Sequence, residues 1–219
     1  MTEITNYITN DYKAIDSRET IAYVQDFFNE FPFSHFPVVE EGIYIGSIAS
    51  DDIETFDSIK KVFDYRYSLE GFFAREKMIW LDVLEVFAKN HSNLVPVLDE
   101  KNQYLGYYEI SDILIFFHET PFLQEPGAIL VVKKKTLDYS IGEITQIVES
   151  NNGKILGLFV SESDLENTSV TIKLNLGVMN EIIQSFRRYN YEIISEHHED
   201  SYINTLKERS DYLDKYLNI

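Results

Sequence analysis

The chain has 219 residues, 44% of them hydrophobic, and a formal net charge of −18. That apolar share argues for packed cores over disorder, and the charge repels phosphate backbones and anionic bilayers, so neither nucleic acid nor membrane is an expected partner. Cysteine is absent, which removes disulfides, thiolate nucleophiles and thiolate metal sites. The opening residues, MTEITNYITNDY, have no basic segment followed by an apolar one. The strongest apolar cluster, ILIFF at 113–117, falls far short of the roughly 20 residues that span a bilayer. The expectation is a cytoplasmic protein.

In chain order, an extended segment leads to Asp16-x-x-Glu19, which reads as a capping box. It opens a helix whose apolar positions Ile21, Val24, Phe27, Phe28 and Phe31 recur at helical spacing. Strands follow at 36–39 and 43–48, and a closing helix starts near Ser50, a good N-cap with acids in its first turn. The same order then returns. Trp80, Val83, Leu84, Val86 and Phe87 mark a helix, 94–98 and 104–109 are strands, and a second closing helix starts near Ser111. Overlaid, Pro37 falls on Pro96, Gly46 on Gly106 and Asp52 on Asp112. A unit of this size buries little alone, so two copies, about 1–66 and 67–120, are expected to pack face to face around a quasi-twofold axis.

Pro121 and Pro126 frame a linker at 121–126. A different grammar occupies 127–200. It has a strand at 128–135, a helix at 140–152 with the capping box Ser140-x-x-Glu143, strands at 154–162 and 169–176, a helix at 177–190 and a strand at 191–198. The order βαββαβ is the ferredoxin-like split arrangement, so the fold class is mixed α+β. Residues 201–219 read as a helix with Ile203, Leu206, Leu213 and Leu217 as a broken apolar stripe, packing on this chain's core or serving as a partner arm.

The strings FPVVEEGIYIGSIASDDI (36–53) and VPVLDEKNQYLGYYEISDI (95–113) resemble the tandem repeats of the CBS-domain pair, the Bateman module, over roughly residues 1–120. The resemblance implies a regulatory module, often dimerising, with adenosine-containing ligands held in clefts between the repeats. It implies that Asp52 and Asp112 accept hydrogen bonds from ribose hydroxyls and that a hydroxyl three positions after the glycine helps hold phosphate. Ala49 and Glu109 stand at that hydroxyl position. Alanine removes the donor and glutamate repels phosphate, so the expected ligand is a neutral nucleoside or weakly charged nucleotide rather than ATP. The candidate cleft residues are Asp52, Asp112, Ser50, Ala49, Pro37 and Pro96, with Lys13, Arg18, Arg75 and Lys77 as nearby cations. A second reading of the two aspartates is open: helix-start carboxylates, each worth about 0.3–1 kcal/mol against the helix dipole.

Residues 127–200 are similar to an ACT domain in order and element length. The Pro-Gly signature after the first strand is replaced by Asp138-Tyr139, so the resemblance implies dimerisation here rather than amino-acid binding. The combination is similar to bacterial acetoin-utilisation-type CBS proteins.

His197-His198-Glu199-Asp200 looks like a metal cluster, but neighbouring strand residues point to opposite faces and cannot easily share an ion. His35, His91 and His118 are isolated. No nucleophile elbow, phosphate loop or catalytic triad is written in the chain. No metal or resident cofactor is expected. The functional expectation is a non-enzymatic, homodimeric sensor that binds an adenosyl ligand through its first module. The alternative is a ligand-free homodimeric scaffold that docks a protein partner.

Overall fold

Strand β1 (Ile15–Asp16) runs parallel to β2 (His35–Glu40), which pairs antiparallel with β3 (Ile43–Ala49). Helix α1 (Ile21–Glu30) connects β1 to β2, and the short α2 (Ser50–Ile53) follows β3. The plan repeats with β4 (Ala74–Arg75), α3 (Trp80–Asn90), β5 (Leu94–Leu98), β6 (Tyr104–Glu109) and α4 (Ile110–His118), again as one parallel and one antiparallel pairing. The computed structural model describes residues 4–175 and 179–197, and the chain divides into two compact units between Phe117 and His118.

Each copy's hydrophobic pattern explains its layer. Phe36, Val38 and Ile48 project from one face of the first sheet onto Ile21 and Val24 of α1, and all five are at most 1% exposed. In the second copy Val95, Val97 and Tyr108 meet Val83 and Phe87 of α3 in the same way. Each fully buried aliphatic or aromatic side chain contributes about 1.5–3 kcal/mol. The prolines sit in central strands at no hydrogen-bonding loss. Parallel pairing to β1 begins at Val38 and to β4 at Val97, one residue past Pro37 and Pro96, so the ladder never asks for the missing N–H.

Three capping expectations need correction. The cap of α1 is Thr20, whose hydroxyl accepts from the Tyr23 N–H at 3.3 Å, while Asp16 is tied up in β1 and in a bidentate pair with Arg18. Ser50 is the first helical residue of α2, not its cap; Ala49 holds that place with no side-chain bond, and the Ser50 hydroxyl turns to Asp51 at 3.5 Å. Ser111 likewise lies inside α4.

The two copies clasp each other reciprocally. Thr9, ahead of the first copy, pairs with Tyr107 of β6, and Glu70, ahead of the second, pairs with Ser47 of β3. Each leading segment therefore lies on the other copy's sheet. Gly46 and Gly106 make room for this. Their φ values are +143° and +154°, and an added Cβ would come within 2.6 Å of Leu69 Cβ or 2.4 Å of the Thr9 carbonyl oxygen. At the quasi-axis, the Ser34 N–H donates to Asn93 Oδ1 at 2.9 Å while the Asn93 N–H donates to Ser34 Oγ at 3.0 Å. The turns cross-pair too: the Tyr44 N–H donates to the Asn102 carbonyl and the Tyr104 N–H to the Gly42 carbonyl, both at 3.2 Å.

The second unit begins with a short helix, α5 (Pro121–Gln124), where a linker was expected; proline at its first position suits a helix start. Strands β7 (Gly127–Lys135), β8 (Ile155–Ser163), β9 (Asn167–Asn175) and β10 (Glu192–His197) form an antiparallel sheet in the order β10-β7-β9-β8, with α6 (Ile141–Ser150) and α7 (Met179–Arg188) completing the βαββαβ order. Leu130, Val132, Ile172 and Leu174 pack against Ile144, Ile147, Ile182 and Phe186. Only half of the second capping box forms. Ser140 caps α6 by accepting from the Glu143 N–H, but the Glu143 carboxylate goes to Lys134 at 2.6 Å, which also lies over the Tyr191 ring. The Tyr139 side chain packs against this core. The expected helix at 201–219 and the cluster at 198–200 lie outside the described residues.

Candidate functional site

Because Cα partners His35↔Ala49 and Pro37↔Ser47 face each other across β2 and β3, these four side chains share the sheet face turned away from α1. The second copy sets Leu94, Pro96, Tyr107 and Glu109 on the equivalent face. Asp52 and Asp112 then follow at the starts of α2 and α4. Both prolines and Ala49 are buried, whereas Asp52, Ser50, Glu109 and Asp112 are half-buried. The backbone thus repeats the candidate cleft surface twice, each copy bordered by the leading segment that crosses from the other.

In the first cleft that segment brings Glu70 and Phe72. His35, only 8% exposed, lies 3.4 Å from the Glu70 carboxylate through Nε2 and 3.0 Å from Ser34 Oγ through Nδ1, and its ring meets Phe72 edge-on at 5.3 Å. Ser47 Oγ is 2.9 Å from the Tyr44 hydroxyl, which donates to the Phe72 carbonyl at 2.7 Å. Burial pushes the Tyr44 hydroxyl up to about 12, so it is a neutral donor. The Asp52 carboxylate has no hydrogen-bond or ion-pair partner among the described residues, although its own backbone carbonyl accepts from Thr55. Ala49 beside it adds no charge and little bulk.

The second cleft is built differently. Partial burial raises the Asp112 carboxyl above the ordinary aspartate range, and the Glu109 backbone N–H nearby offsets this only in part. Glu109 is raised as well, first by burial and then by the negative charges of Asp112 and Asp11. Tyr107 is fully buried beside Phe33 and Phe36. Asp112 therefore has a backbone N–H and the Glu109 charge near it, and Asp52 has neither among the described residues.

The cations singled out by sequence are engaged elsewhere. Arg18 pairs with Asp16 at 2.8 Å and Lys77 with Glu100 at 2.9 Å, while Arg75 donates to the Asp99 carbonyl and, at 2.8 Å, to Asn102 Oδ1. Lys13 is exposed. Sequence reasoning set His35 aside as isolated and passed over Glu70, Asp11 and Tyr107. Only their places relative to the repeat could have pointed to them, and their own residue types gave no signal. Among the described residues no group of three or more histidines or acids is arranged to hold a metal ion, and no helix is long and apolar enough to cross a membrane.

Residues 72–119 match the CBS domain family. That stretch begins in the crossing segment, includes the whole second sheet and ends just after α4. No curated protein matches the chain. Solved structures similar to it include a CBS domain pair/ACT domain protein from Thermotoga maritima, with TM-score 0.49 and 21% identity over 54% of this chain and 98% of that one. The CBS pair domain of a putative Mg2+ transporter from Shewanella oneidensis is similar at TM-score 0.48 and 18% identity, over 54% of this chain and 71% of that one. CBSX2 in complex with AMP is similar at TM-score 0.45 and 11% identity, over 53% of this chain and 96% of that one. The family match covers the second copy, and the first copy repeats its strand order, register and reciprocal hydrogen bonds.

Proposed function

We propose that this protein is a non-enzymatic regulatory sensor whose first cleft takes an adenosine-type ligand without a polyphosphate. The observation that carries the reading is the Asp52 carboxylate, half-buried at a helix start and unpartnered among the described residues. A carboxylate in that state is an acceptor for two neighbouring hydroxyls, as a ribose supplies, and removing it from water without a partner is unfavourable. Ala49 offers no phosphate donor, and Glu70 stands across the cleft as a negative wall, so each added phosphate lowers affinity. The CBS family match on the second copy supports a regulatory role.

A ligand here would act on the angle between copies, because its walls come from both: Asp52 and Ala49 from the first, Glu70 and Phe72 from the crossing segment of the second. It can shift that angle only by binding one arrangement more tightly than another. The βαββαβ unit, similar to an ACT domain, is the proposed recipient of the signal.

Calorimetry with adenosine, AMP, ADP and ATP tests the reading. The expected order is adenosine and AMP above ADP and ATP, with Asp52→Ala reducing affinity about ten-fold or more, as for a charge-assisted hydrogen-bond pair. Absence of heat with all four ligands removes the sensor. The scaffold reading is favoured by a separate observation. Leu137 and Leu165 are 96% and 99% exposed on loops joined by the Thr136 N–H to the Glu166 carbonyl. Stoichiometric recovery of one protein partner without added nucleoside would support it.

A further inference from the structure

The second cleft carries an arrangement that the nucleoside reading does not use. Tyr107 and Glu109 are two apart on β6 and share a face. The crossing segment pairs Thr9 with Tyr107 and then bends at Asp11 and Tyr12. This turns Tyr12 onto the aromatic cluster that buries Tyr107: its ring lies 4.3 Å from Phe31 and 5.9 Å from Phe33, and Phe33 lies 6.1 Å from Tyr107. Asp11 and Asp112 lie near enough to Glu109 for their negative charges to act on it.

Within this corner the Tyr107 hydroxyl is buried and has no hydrogen-bond partner among the described residues, although its side chain is 0% exposed. The Tyr12 backbone N–H approaches it without closing a bond. A buried hydroxyl left open is unfavourable by about 1–3 kcal/mol, and the negative charges of Glu109 and Asp11 act on this one. The corner therefore holds several acceptor oxygens, an exposed aromatic ring and a surplus of negative charge. It lacks the close convergence of three acids that a metal ion demands. Separated acceptors beside an aromatic face suit an organic ammonium, which donates three hydrogen bonds, accepts none and is attracted to ring faces.

We propose that this corner, made by Asp11, Tyr12, Tyr107, Glu109 and Asp112, binds a primary-ammonium ligand, a compact organic amine or the amino end of a larger one. Glu109 and Asp11 supply the charge, the Tyr12 ring lines one side, and the Tyr107 hydroxyl accepts one N–H. This site is independent of the Asp52 cleft, so either can fail without the other.

Calorimetric titration of the full chain with 1,4-diaminobutane at constant ionic strength tests it, with magnesium chloride as control for diffuse attraction to an acidic protein. The expected result is saturable binding of one equivalent that an equal charge concentration of magnesium does not abolish. Glu109→Gln and the exposed-site variant Asp11→Asn should each weaken it, Glu109→Gln by about ten-fold or more. Tyr107→Phe should weaken binding about three-fold while leaving the thermal midpoint unchanged or higher, since the lost hydroxyl satisfied nothing in the free protein. Non-saturable heats, full displacement by magnesium, or unchanged affinity in both Glu109→Gln and Asp11→Asn would each overturn the proposal.

Discussion

The two clefts share a backbone and differ in nearly every side chain that faces into them. Ser47 and Ala49 in the first become Tyr107 and Glu109 in the second; His35 becomes Leu94; the crossing residue Glu70 is answered by Thr9, with Asp11 just beyond. Register, bulge position, the positive-φ glycines and the axis hydrogen bonds are duplicated. The difference teaches which constraints come from the clasp and which do not. Main-chain crossings demand small residues and a fixed register in both copies, while the cleft surfaces are free to acquire unlike chemistry.

The sharpest way to break the comparison is at the glycines. Gly46→Ala and Gly106→Ala each combine a positive-φ conformation with a contact below 3 Å, so each should lower stability by about 3 kcal/mol, measured by urea unfolding. Equal losses would show that both crossings bear the same constraint, and a negligible loss at one would show that its segment is only loosely held. A smaller effect is expected at the axis. Asn93→Ala removes the acceptor for both the Ser34 N–H and hydroxyl and the donor to the Pro32 carbonyl, about 2 kcal/mol in sum, against about 1 kcal/mol for Ser34→Ala. The pseudo-symmetry is therefore unequal in strength, with the asparagine as its stronger half.

The smallest effect sharpens the electrostatic contrast. Glu109 and Asp112 have folded-state values above their ordinary 4.5 and 3.8, so the folded protein holds their protons more tightly than the unfolded chain does. Below those ordinary values both states are protonated and the groups contribute nothing. As pH rises through the raised values, the fold is penalised. Glu109→Gln should thus melt higher than the parent protein at neutral pH, with the gap closing as pH falls to about 4 and below. Ala49→Glu, at the equivalent place in the first copy, should reproduce that pH dependence if the clefts are as alike in backbone as their registers say. Thermal melts across the pH range read both.

Much of this was legible in the residues themselves. The strands at 94–98 and 104–109 have the bounds read from sequence, because short β-branched and aromatic runs stop at turn residues such as Asp99 and Asn102. Capping was misread at Asp16 and Ser50. Which polar residue caps a helix depends on where the preceding strand ends, and both choices lie within a few residues of the true cap. The crossing segments were not legible at all: Gly46 and Gly106 read as strand glycines, and only the placement of Leu69 and Thr9 against them reveals why no side chain is allowed. The aspartates aligned correctly by sequence but are not equivalent in environment, since the residue that separates them chemically is Glu109, three positions upstream of Asp112.

The exchange of leading segments has a consequence for how such a molecule can arise and change. A lone copy has a bare sheet edge beside its glycine and a loose forerunner with nothing of its own to lie on, so it is complete only when matched with another. Tethering the two in one polypeptide turns that matching into an internal event, favoured by an effective concentration on the order of millimolar. Each half is then released from having to be its own mirror image. Separately expressed halves of the first unit, cut between Arg66 and Leu69 and ending at Phe117, should complement each other in trans, and neither should persist in folded form by itself.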